Sequence, residues 1–231
     1  GATGRLLVKM LLDAGHQVKV IVRSSESLGD ELLAHAHLSL VQASILDLSD
    51  AAVLEHVDGC EVVVSCLGHR MSFVGMFGQP RQLVTDAIRN LCKAVIKSKP
   101  NQAVKFVLMG SSGVKNKDVL EKTSWAQQCV IGLLRLFLPP HADNENAAEY
   151  LRVEVGAEHP MISWVVVRPD GLVDEKQVSA YELHASPMRS AIFDAGQVSR
   201  INVARLMADL IEDEALWLVW QGQMPVVYSK K

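Results

Sequence analysis

Two short stretches of the sequence contain residue types that could bind a dinucleotide. Gly1-Ala2-Thr3-Gly4 stands directly before a helical pattern, where glycines let the backbone approach a pyrophosphate. Arg23 and Ser24 follow the next β-branched run, at the point where a dinucleotide-binding fold selects its cofactor. An acidic residue there would favour NAD, whereas a guanidinium and hydroxyl groups suit the 2′-phosphate of NADP. The residues favour NADP(H), while an ordinary turn and a solvated arginine are the alternative interpretations.

A third candidate stretch ends a run of buried β type. Cys66-Leu67-Gly68 follows Val64, and Gly68 would let the backbone approach a ligand at the carboxyl end of a strand. His69 and Arg70 come next and could contact phosphate or substrate, or be plain loop residues. We interpret Cys66 as a residue at the edge of the core and not as a redox thiol.

The elements that position these residues alternate along the chain. Nearly continuous apolar runs predict strands buried on both faces, at residues 17–22, 38–42, 61–66, 104–109 and 162–167. Apolar residues at helical spacing lie between or after them, at residues 6–11, 51–57, 83–95, 147–155 and 202–210. This alternation predicts an α/β fold with a doubly wound parallel sheet and helices on both faces. We expect one domain over residues 1–231, with a smaller substrate-facing lobe from Gly171 onward.

Composition narrows the classes of function. Hydrophobic residues make up 49% of the 231 residues and charged residues 21%, which argues against disorder. The net charge of −3 gives no electrostatic reason to expect a nucleic acid or an anionic membrane as partner. The four cysteines form no Cys-x-x-Cys pair, so we expect no metal site and a reducing compartment. No apolar run is long enough to span a bilayer. We therefore expect a cytoplasmic protein with a small-molecule substrate or ligand.

A set of short motifs in a fixed order makes the chain similar to a known superfamily. It resembles the atypical short-chain dehydrogenases/reductases, in particular their NAD(P)H-binding NmrA-like and biliverdin-IXβ/flavin-reductase-like members. The resemblance covers essentially the whole chain and implies a Rossmann-type fold with a nicotinamide cofactor, without fixing the substrate. The matching segments are GATG (1–4), LLxxGHxVxxxVRS (11–24), VVVSCLG (62–68), FVLMGSSG (106–113), DNENAAEYLR (143–152), VVVRPDGL (165–172) and SRINVARLMADLIED (199–213).

The resemblance also implies what the glycine motif should look like. The family pattern is GATG-x-x-G preceded by a strand, so we expect this sequence to omit about three residues after Gly4 and a strand before Gly1. Gly1 to Gly4 should then present backbone N–H groups, and the helix should begin near Arg5 with its positive end toward the cofactor phosphates.

Further site residues follow from the resemblance. Ser111, with Ser112 as the second choice, matches a serine that sits beside the nicotinamide and can hydrogen-bond a substrate carbonyl. Arg168-Pro169-Asp170-Gly171 matches a turn whose backbone lies under the nicotinamide end. A serine-rich capping turn and a plain strand-ending turn are the alternatives. The predicted catalytic residues are Ser111 and Ser112, and the predicted cofactor-binding residues are Gly1, Ala2, Thr3, Gly4, Arg23, Ser24, Cys66, Leu67, Gly68, Arg70, Ser111, Glu145, Arg168, Pro169, Asp170 and Gly171.

The catalytic pair of the superfamily is missing. Its dehydrogenases use Tyr-x-x-x-Lys, and the matching positions here are His141 and Glu145, while Tyr150 is followed by Glu154. Tyrosine-based carbonyl reduction is therefore not expected. His141 could act as a general acid, but we interpret it as a loop residue after Pro139-Pro140; Glu145 could contact the nicotinamide ribose.

Two classes of function remain open. One is an NADPH-dependent oxidoreductase for a small conjugated or carbonyl acceptor, with water as the proton source. The other is a non-catalytic NADP(H)-binding sensor of the NmrA-like type. The apolar segment 116–140 is predicted to be a helix packed on the sheet, with a substrate lid or an oligomer contact as alternatives. Residues 217–228 are predicted to form a terminal strand.

Overall fold

Helices and strands alternate along most of the chain. The computed structural model describes residues 1–69, 72, 75, 77–121 and 125–230. The helices are α1 (Ala2–Asp13), α2 (Asp30–Leu33), α3 (Asp50–Val57), α4 (Leu83–Ser98), α5 (Trp125–Phe137), α6 (Pro139–Glu149), a π-helical turn (Tyr150–Val155), α7 (Arg200–Glu212) and α8 (Glu214–Trp220). The strands are β1 (Val18–Val22), β2 (Leu38–Gln42), β3 (Val62–Ser65), β4 (Val104–Met109), β5 (Ile162–Pro169), β6 (Gly171–Val173), β7 (Tyr181–His184), β8 (Gln197–Ser199) and β9 (Val226–Ser229).

The central sheet has five strands in the order β3-β4-β5-β9-β7. All its neighbouring strands are parallel except β7, which pairs with β9 in the antiparallel direction. Two parallel pairs, β1 with β2 and β6 with β8, stand beside it. Within the described residues, β1 pairs only with β2 and β3 pairs only with β4. The parallel strands β3, β4 and β5 therefore end at one common edge of the central sheet.

Helices cover both faces of this sheet, as the alternation of buried residues along β4 requires. Phe106 and Leu108 belong to one buried cluster, formed with residues of α3, α4, α6 and the π-helical turn. Val107 belongs to the cluster on the opposite face, with residues of α1, α7 and α8. Because successive side chains of a strand point to opposite faces, a strand apolar at both sets of positions must be buried on both sides. The fold is the doubly wound, Rossmann-type α/β architecture that the sequence predicts.

Most predicted elements form, with three differences. Pro139 and Pro140 occupy the first turn of α6, so the interpretation of His141 as a loop residue is wrong; proline is tolerated there because the first N–H groups of a helix have no acceptor within it. Residues 217–220 end a helix, and only Val226–Ser229 form the terminal strand. The segment from Gly171 onward, expected to form a smaller lobe, contributes two strands, β7 and β9, to the central sheet.

The apolar segment before α6 is only partly packed. Ile131 of α5 is buried, whereas Trp125, Leu133 and Phe137 on the same helix are exposed. Helix α5 packs against α6, and apolar surface is left uncovered among its described residues. In the part of the chain that the structure describes, no helix combines the length and the apolar character needed to cross a membrane.

Candidate functional site

The candidate site lies where β3, β4 and β5 end. Cys66-Leu67-Gly68 follows β3, Gly110-Ser111-Ser112 follows β4, and Arg168-Pro169-Asp170 closes β5. Open α/β sheets bind ligands in the crevice outside the carboxyl ends of their strands. The structure therefore brings three of the sequence-predicted stretches to one edge of the sheet. Arg70 lies outside the described residues.

The glycine motif is part of a helix and not a loop. Helix α1 begins at Ala2, with Gly1 as its N-cap, and the amide of Arg5 already donates to Gly1 O at 3.0 Å. The expectation that the helix begins near Arg5 is therefore wrong. A Cβ on Gly4 would lie 3.3 Å from Cys66 Cβ, so Gly4 is the close-packing position between α1 and the end of β3. In a dinucleotide fingerprint that is the role of the third glycine.

This register changes how the motif is matched. Gly1 and Gly4 correspond to the second and third glycines of the fingerprint, and the helix follows Gly4 without a gap. The expected omission of three residues after Gly4 is therefore not needed. The amides of Ala2, Thr3 and Gly4 have no acceptor inside the helix. The first turn carries neither a side-chain cap nor an acidic residue, so its positive end is open to an anion.

Arg23 lies directly after β1 and is exposed. It forms no ion pair within the described part of the chain. The neighbouring Ser24 accepts a hydrogen bond at its carbonyl oxygen from Ser27 Oγ at 3.4 Å. A guanidinium that is not neutralised by a carboxylate remains available for a phosphate.

The two serines after β4 differ in what they contact. Ser112 Oγ donates to Asp170 Oδ1 at 3.0 Å. Asp170 is buried, and it also accepts from the amides of Gly171 (3.0 Å) and Gly196 (2.9 Å). Its carboxylate therefore ties the ends of β4 and β5 to the start of β8. No described residue hydrogen-bonds the hydroxyl of Ser111, which leaves that hydroxyl the more available of the two.

Arg168 is fully buried and its guanidinium serves the fold. Nε donates to Met224 O at 2.6 Å, and Nη1 donates to Val114 O at 2.7 Å and to Glu121 Oε1 at 2.6 Å. Nη2 donates to Ala185 O at 3.2 Å. Because the guanidinium already has these acceptors, only the backbone of this turn is left to contact a cofactor, as the resemblance implies.

His141 and Glu145 face each other on one side of α6. Glu145 Oε1 lies 3.6 Å from His141 Nε2, and Arg135 of α5 binds the same carboxylate with two donors, Nε at 2.6 Å and Nη2 at 2.8 Å. Burial alone would raise the pKa of Glu145, but the interactions with His141 and Arg135 outweigh it and lower this pKa, so the carboxylate is ionised at neutral pH.

The imidazole of His141 also approaches the end of β4. A Cβ on Gly113 would lie 3.2 Å from His141 Cε1, 3.5 Å from Ser111 Oγ and 3.8 Å from His141 Nδ1. The imidazole and the Ser111 hydroxyl therefore border one small space beside Gly113. Nε2 is buried and has no hydrogen-bond partner among the described residues.

A buried aspartate, which the sequence did not single out, links this helix to the rest of the site. Asp143 accepts from the amides of Val84 (2.8 Å) and Thr85 (2.9 Å), so it caps α4 from another helix. Its Oδ2 also lies 2.7 Å from His69 Nε2, and His69 Nδ1 lies 3.1 Å from Gly75 O. His69 is therefore engaged with protein groups. An aspartate inside a helical pattern gave no signal for a capping role 58 residues away.

Two other titratable side chains near the site have pKa values that are raised by burial. Burial raises the pKa of Cys66 to about 12, which agrees with its interpretation as a core-edge residue. Burial also raises the pKa of Tyr150 and outweighs the opposing attraction of Arg89, so a phenolate is disfavoured there. Tyrosine-based acid catalysis has no support at this position.

The comparisons with known proteins agree with this architecture. Residues 1–214 match a family described as NAD(P)H-binding. Among solved structures, a short-chain dehydrogenase/reductase from Veillonella parvula DSM 2008 in complex with NADP is similar, with a TM-score of 0.70 and 16% identity over 99% of this chain and 90% of that chain. No curated protein sequence matches the chain.

Two further structures are similar in fold. A Streptococcus pneumoniae TIGR4 protein proposed as an NADH-flavin reductase has a TM-score of 0.67 and 15% identity over 100% of this chain and 95% of that chain. A Bacillus halodurans protein proposed as an NAD-dependent epimerase/dehydratase has a TM-score of 0.70 and 18% identity over 100% of this chain and 91% of that chain. At such identities the similarity extends to the fold alone.

Proposed function

Because the chain belongs to a family described as NAD(P)H-binding, we propose that it is an NADPH-dependent oxidoreductase of the atypical short-chain dehydrogenase/reductase type, for a small conjugated or carbonyl acceptor. The observation that carries this proposal is the hydroxyl of Ser111, which lies at the carboxyl edge of the sheet beside the imidazole of His141. Polar groups that converge at that edge without serving the fold are typical of a substrate site.

The residues present fit a dinucleotide. The uncapped first turn of α1 offers the amides of Ala2, Thr3 and Gly4 to the pyrophosphate, and Gly4 lets this turn lie against the end of β3. Gly68 and the backbone of the turn after Arg168 border the remaining length of the crevice. A bound reduced nicotinamide would supply hydride.

Arg23 supports NADPH over NADH. A charge-assisted hydrogen bond contributes about 1.5–3 kcal/mol, so we expect Arg23→Ala to weaken NADPH binding about 10- to 100-fold and to leave NADH binding nearly unchanged. Calorimetric titration of the full chain with both cofactors measures this. Arg200→Ala, which removes an arginine paired with Asp174, is the matched control. Equal affinities of the wild type for NADPH and NADH would sink the proposed preference.

A non-catalytic NADP(H) sensor is the second candidate. The observation in its favour is that His141 and Glu145 stand where the family's dehydrogenases have tyrosine and lysine. The two candidates differ in turnover. An oxidoreductase consumes NADPH when an aldehyde, quinone or flavin acceptor is added, and the loss of absorbance of the reduced nicotinamide measures this consumption. Tight NADPH binding with no turnover across this panel would favour the sensor.

We also propose a small molecule as the partner and the cytoplasm as the compartment, with neither nucleic acid nor membrane involved. The unpaired thiols of Cys60, Cys66 and Cys92 support a reducing compartment.

The exposed apolar residues Trp125 and Phe137 on α5 support an oligomer contact through the segment 116–140. Light scattering across a concentration series tests it, with Trp125→Ser as the variant expected to shift the protein toward monomer.

A further inference from the structure

Three side chains form a continuous chain that ends at the proposed substrate site. Arg135 holds the Glu145 carboxylate by two hydrogen bonds, and Glu145 Oε1 lies beside Nε2 of His141. The Cε1–Nδ1 edge of the same imidazole faces Gly113 and the hydroxyl of Ser111. The ring thus has a carboxylate 3.6 Å from Nε2 and the hydroxyl of Ser111 near its Cε1–Nδ1 edge.

This order of groups is what a positioned proton donor needs. The carboxylate near Nε2 favours a proton on that nitrogen, so in the imidazolium form the second proton is the one at Nδ1. The carboxylate is itself fixed by a bidentate arginine, which prevents it from rotating away. Nδ1 and Ser111 Oγ both lie within 4 Å of the position that a Cβ on Gly113 would take.

We propose that His141 is the acid catalyst of this site and that its substrates are aldehydes or ketones, whose carbonyl oxygen is bound between Ser111 Oγ and His141 Nδ1. This inference rests on the proposed oxidoreductase function and narrows it. Water is thereby replaced as the proton source by a residue of the chain. Glu145 and Arg135 are positioning residues, because they act through His141.

The step balances in atoms and electrons. A reduced nicotinamide bound at this edge would supply one hydrogen with two electrons to the carbonyl carbon and would itself be oxidised. The π electron pair of the C=O bond moves to oxygen, where Ser111 Oγ donates a hydrogen bond to the developing charge. His141 Nδ1 gives its proton to that oxygen, so the carbonyl becomes an alcohol. The imidazole, left neutral with its proton on Nε2, takes a proton from solvent.

The first test uses the full chain with NADPH and 4-nitrobenzaldehyde. General acids contribute about 10²–10⁴-fold, so His141→Ala should lower kcat by at least about 100-fold and leave the affinity for NADPH within about twofold. Added imidazole should restore part of the lost rate, since the removed side chain leaves room beside Gly113. His16→Ala is the matched control, because His16 also pairs with a glutamate, Glu212, at 3.3 Å on an exposed surface.

A second measurement does not depend on turnover. In ¹⁵N-labelled protein at alkaline pH, two-bond ¹H–¹⁵N correlations report which nitrogen of neutral His141 carries the proton. We expect Nε2 in the wild type and in Glu145→Gln, which keeps an acceptor oxygen, and loss of this preference in Glu145→Ala. A wild-type His141 protonated at Nδ1 would overturn the proposal, whether or not His141→Ala folds.

The outcomes separate this inference from the proposed function. If His141→Ala reduces flavin mononucleotide or 4-nitrobenzaldehyde with an unchanged kcat, the proposed oxidoreductase function is supported. The same result overturns the proposal that His141 is the acid. Loss of activity in His141→Ala without any rescue by imidazole also counts against it. NADPH binding without reduction of either acceptor overturns both.

Discussion

Glu121→Ala should destabilise the protein by about 3–5 kcal/mol, the usual cost of leaving one partner of a buried ion pair uncompensated. Arg168 is 0% exposed, and the Glu121 side chain, 3% exposed, lies 2.6 Å from its Nη1. Burial acts against the charged form of Arg168 and lowers its pKa, and the attraction of Glu121 opposes that effect. The three carbonyl oxygens that Arg168 also contacts carry only partial charges. Glu121 is therefore the described group that neutralises this cation.

Thermal unfolding followed by circular dichroism measures the effect. For a chain of this size 1 kcal/mol corresponds to about 2–4 °C, so Tm should fall by about 6–20 °C. Asp174→Ala is the control, because it breaks the exposed pair with Arg200 and should cost at most about 1 kcal/mol. If Glu121→Ala and Asp174→Ala lower Tm equally, the buried pair does not have the importance argued from its geometry.

Three further changes have defined outcomes. Gly196→Ala should lower Tm by about 2–12 °C, since its Cβ would lie 2.4 Å from the ring of Tyr228 and overpacking costs about 1–3 kcal/mol; an unchanged Tm would contradict this contact. The hydrogen bond from Arg152 lowers the pKa of Glu149 to about 2, so the stability that Glu149 contributes is present above its ordinary value of 4.5 and is lost as pH falls toward 2. In Glu149→Gln the acid limb of an unfolding curve should flatten over that window, and a superimposable limb would argue against the pair. Burial raises the pKa of Cys66 to about 12, so its reactive thiolate form is scarce in the native protein. At about one pH unit below an ordinary thiol pKa, iodoacetamide should therefore modify Cys66 far more slowly in the native than in the denatured protein, which mass spectrometry can follow.

Features that depend on neighbouring residues in the sequence could be predicted. The strands around residues 18–22, 38–42, 62–65, 104–109 and 162–169 form where apolar runs predict them, because burial on both faces leaves a local pattern. The helix over residues 83–98 follows from one apolar face at helical spacing. The strand ends then place Cys66, Ser111 and Arg168 at one edge without further information, since parallel neighbours end together.

Features that depend on contacts between distant residues could not be predicted. The packing role of Gly4 appears only when Cys66 lies against it, and the sequence alone suggested a different match of the glycine motif. Asp143 caps a helix that begins 60 residues earlier, and no pattern in the neighbouring sequence predicts this contact. Even the loop interpretation of His141 was a local error: two prolines are as compatible with the start of a helix as with a turn.

The polar residues at the carboxyl edge divide by whether the fold already uses them. Asp170 satisfies three donors, Asp143 caps α4, and the guanidinium of Arg168 is saturated by acceptors. A buried polar group with a full set of partners stabilises a structure and has no capacity left for a ligand. Among the described residues at this edge, the hydroxyl of Ser111 has no hydrogen-bond partner, and neither has the buried Oγ of Ser65 at the end of β3. The Cε1–Nδ1 edge of His141 lies near the Ser111 hydroxyl, while its Nε2 faces Glu145. Spare hydrogen-bonding capacity therefore distinguishes Ser111 from Ser112, whose hydroxyl donates to Asp170, and this agrees with the resemblance, which ranks Ser111 before Ser112.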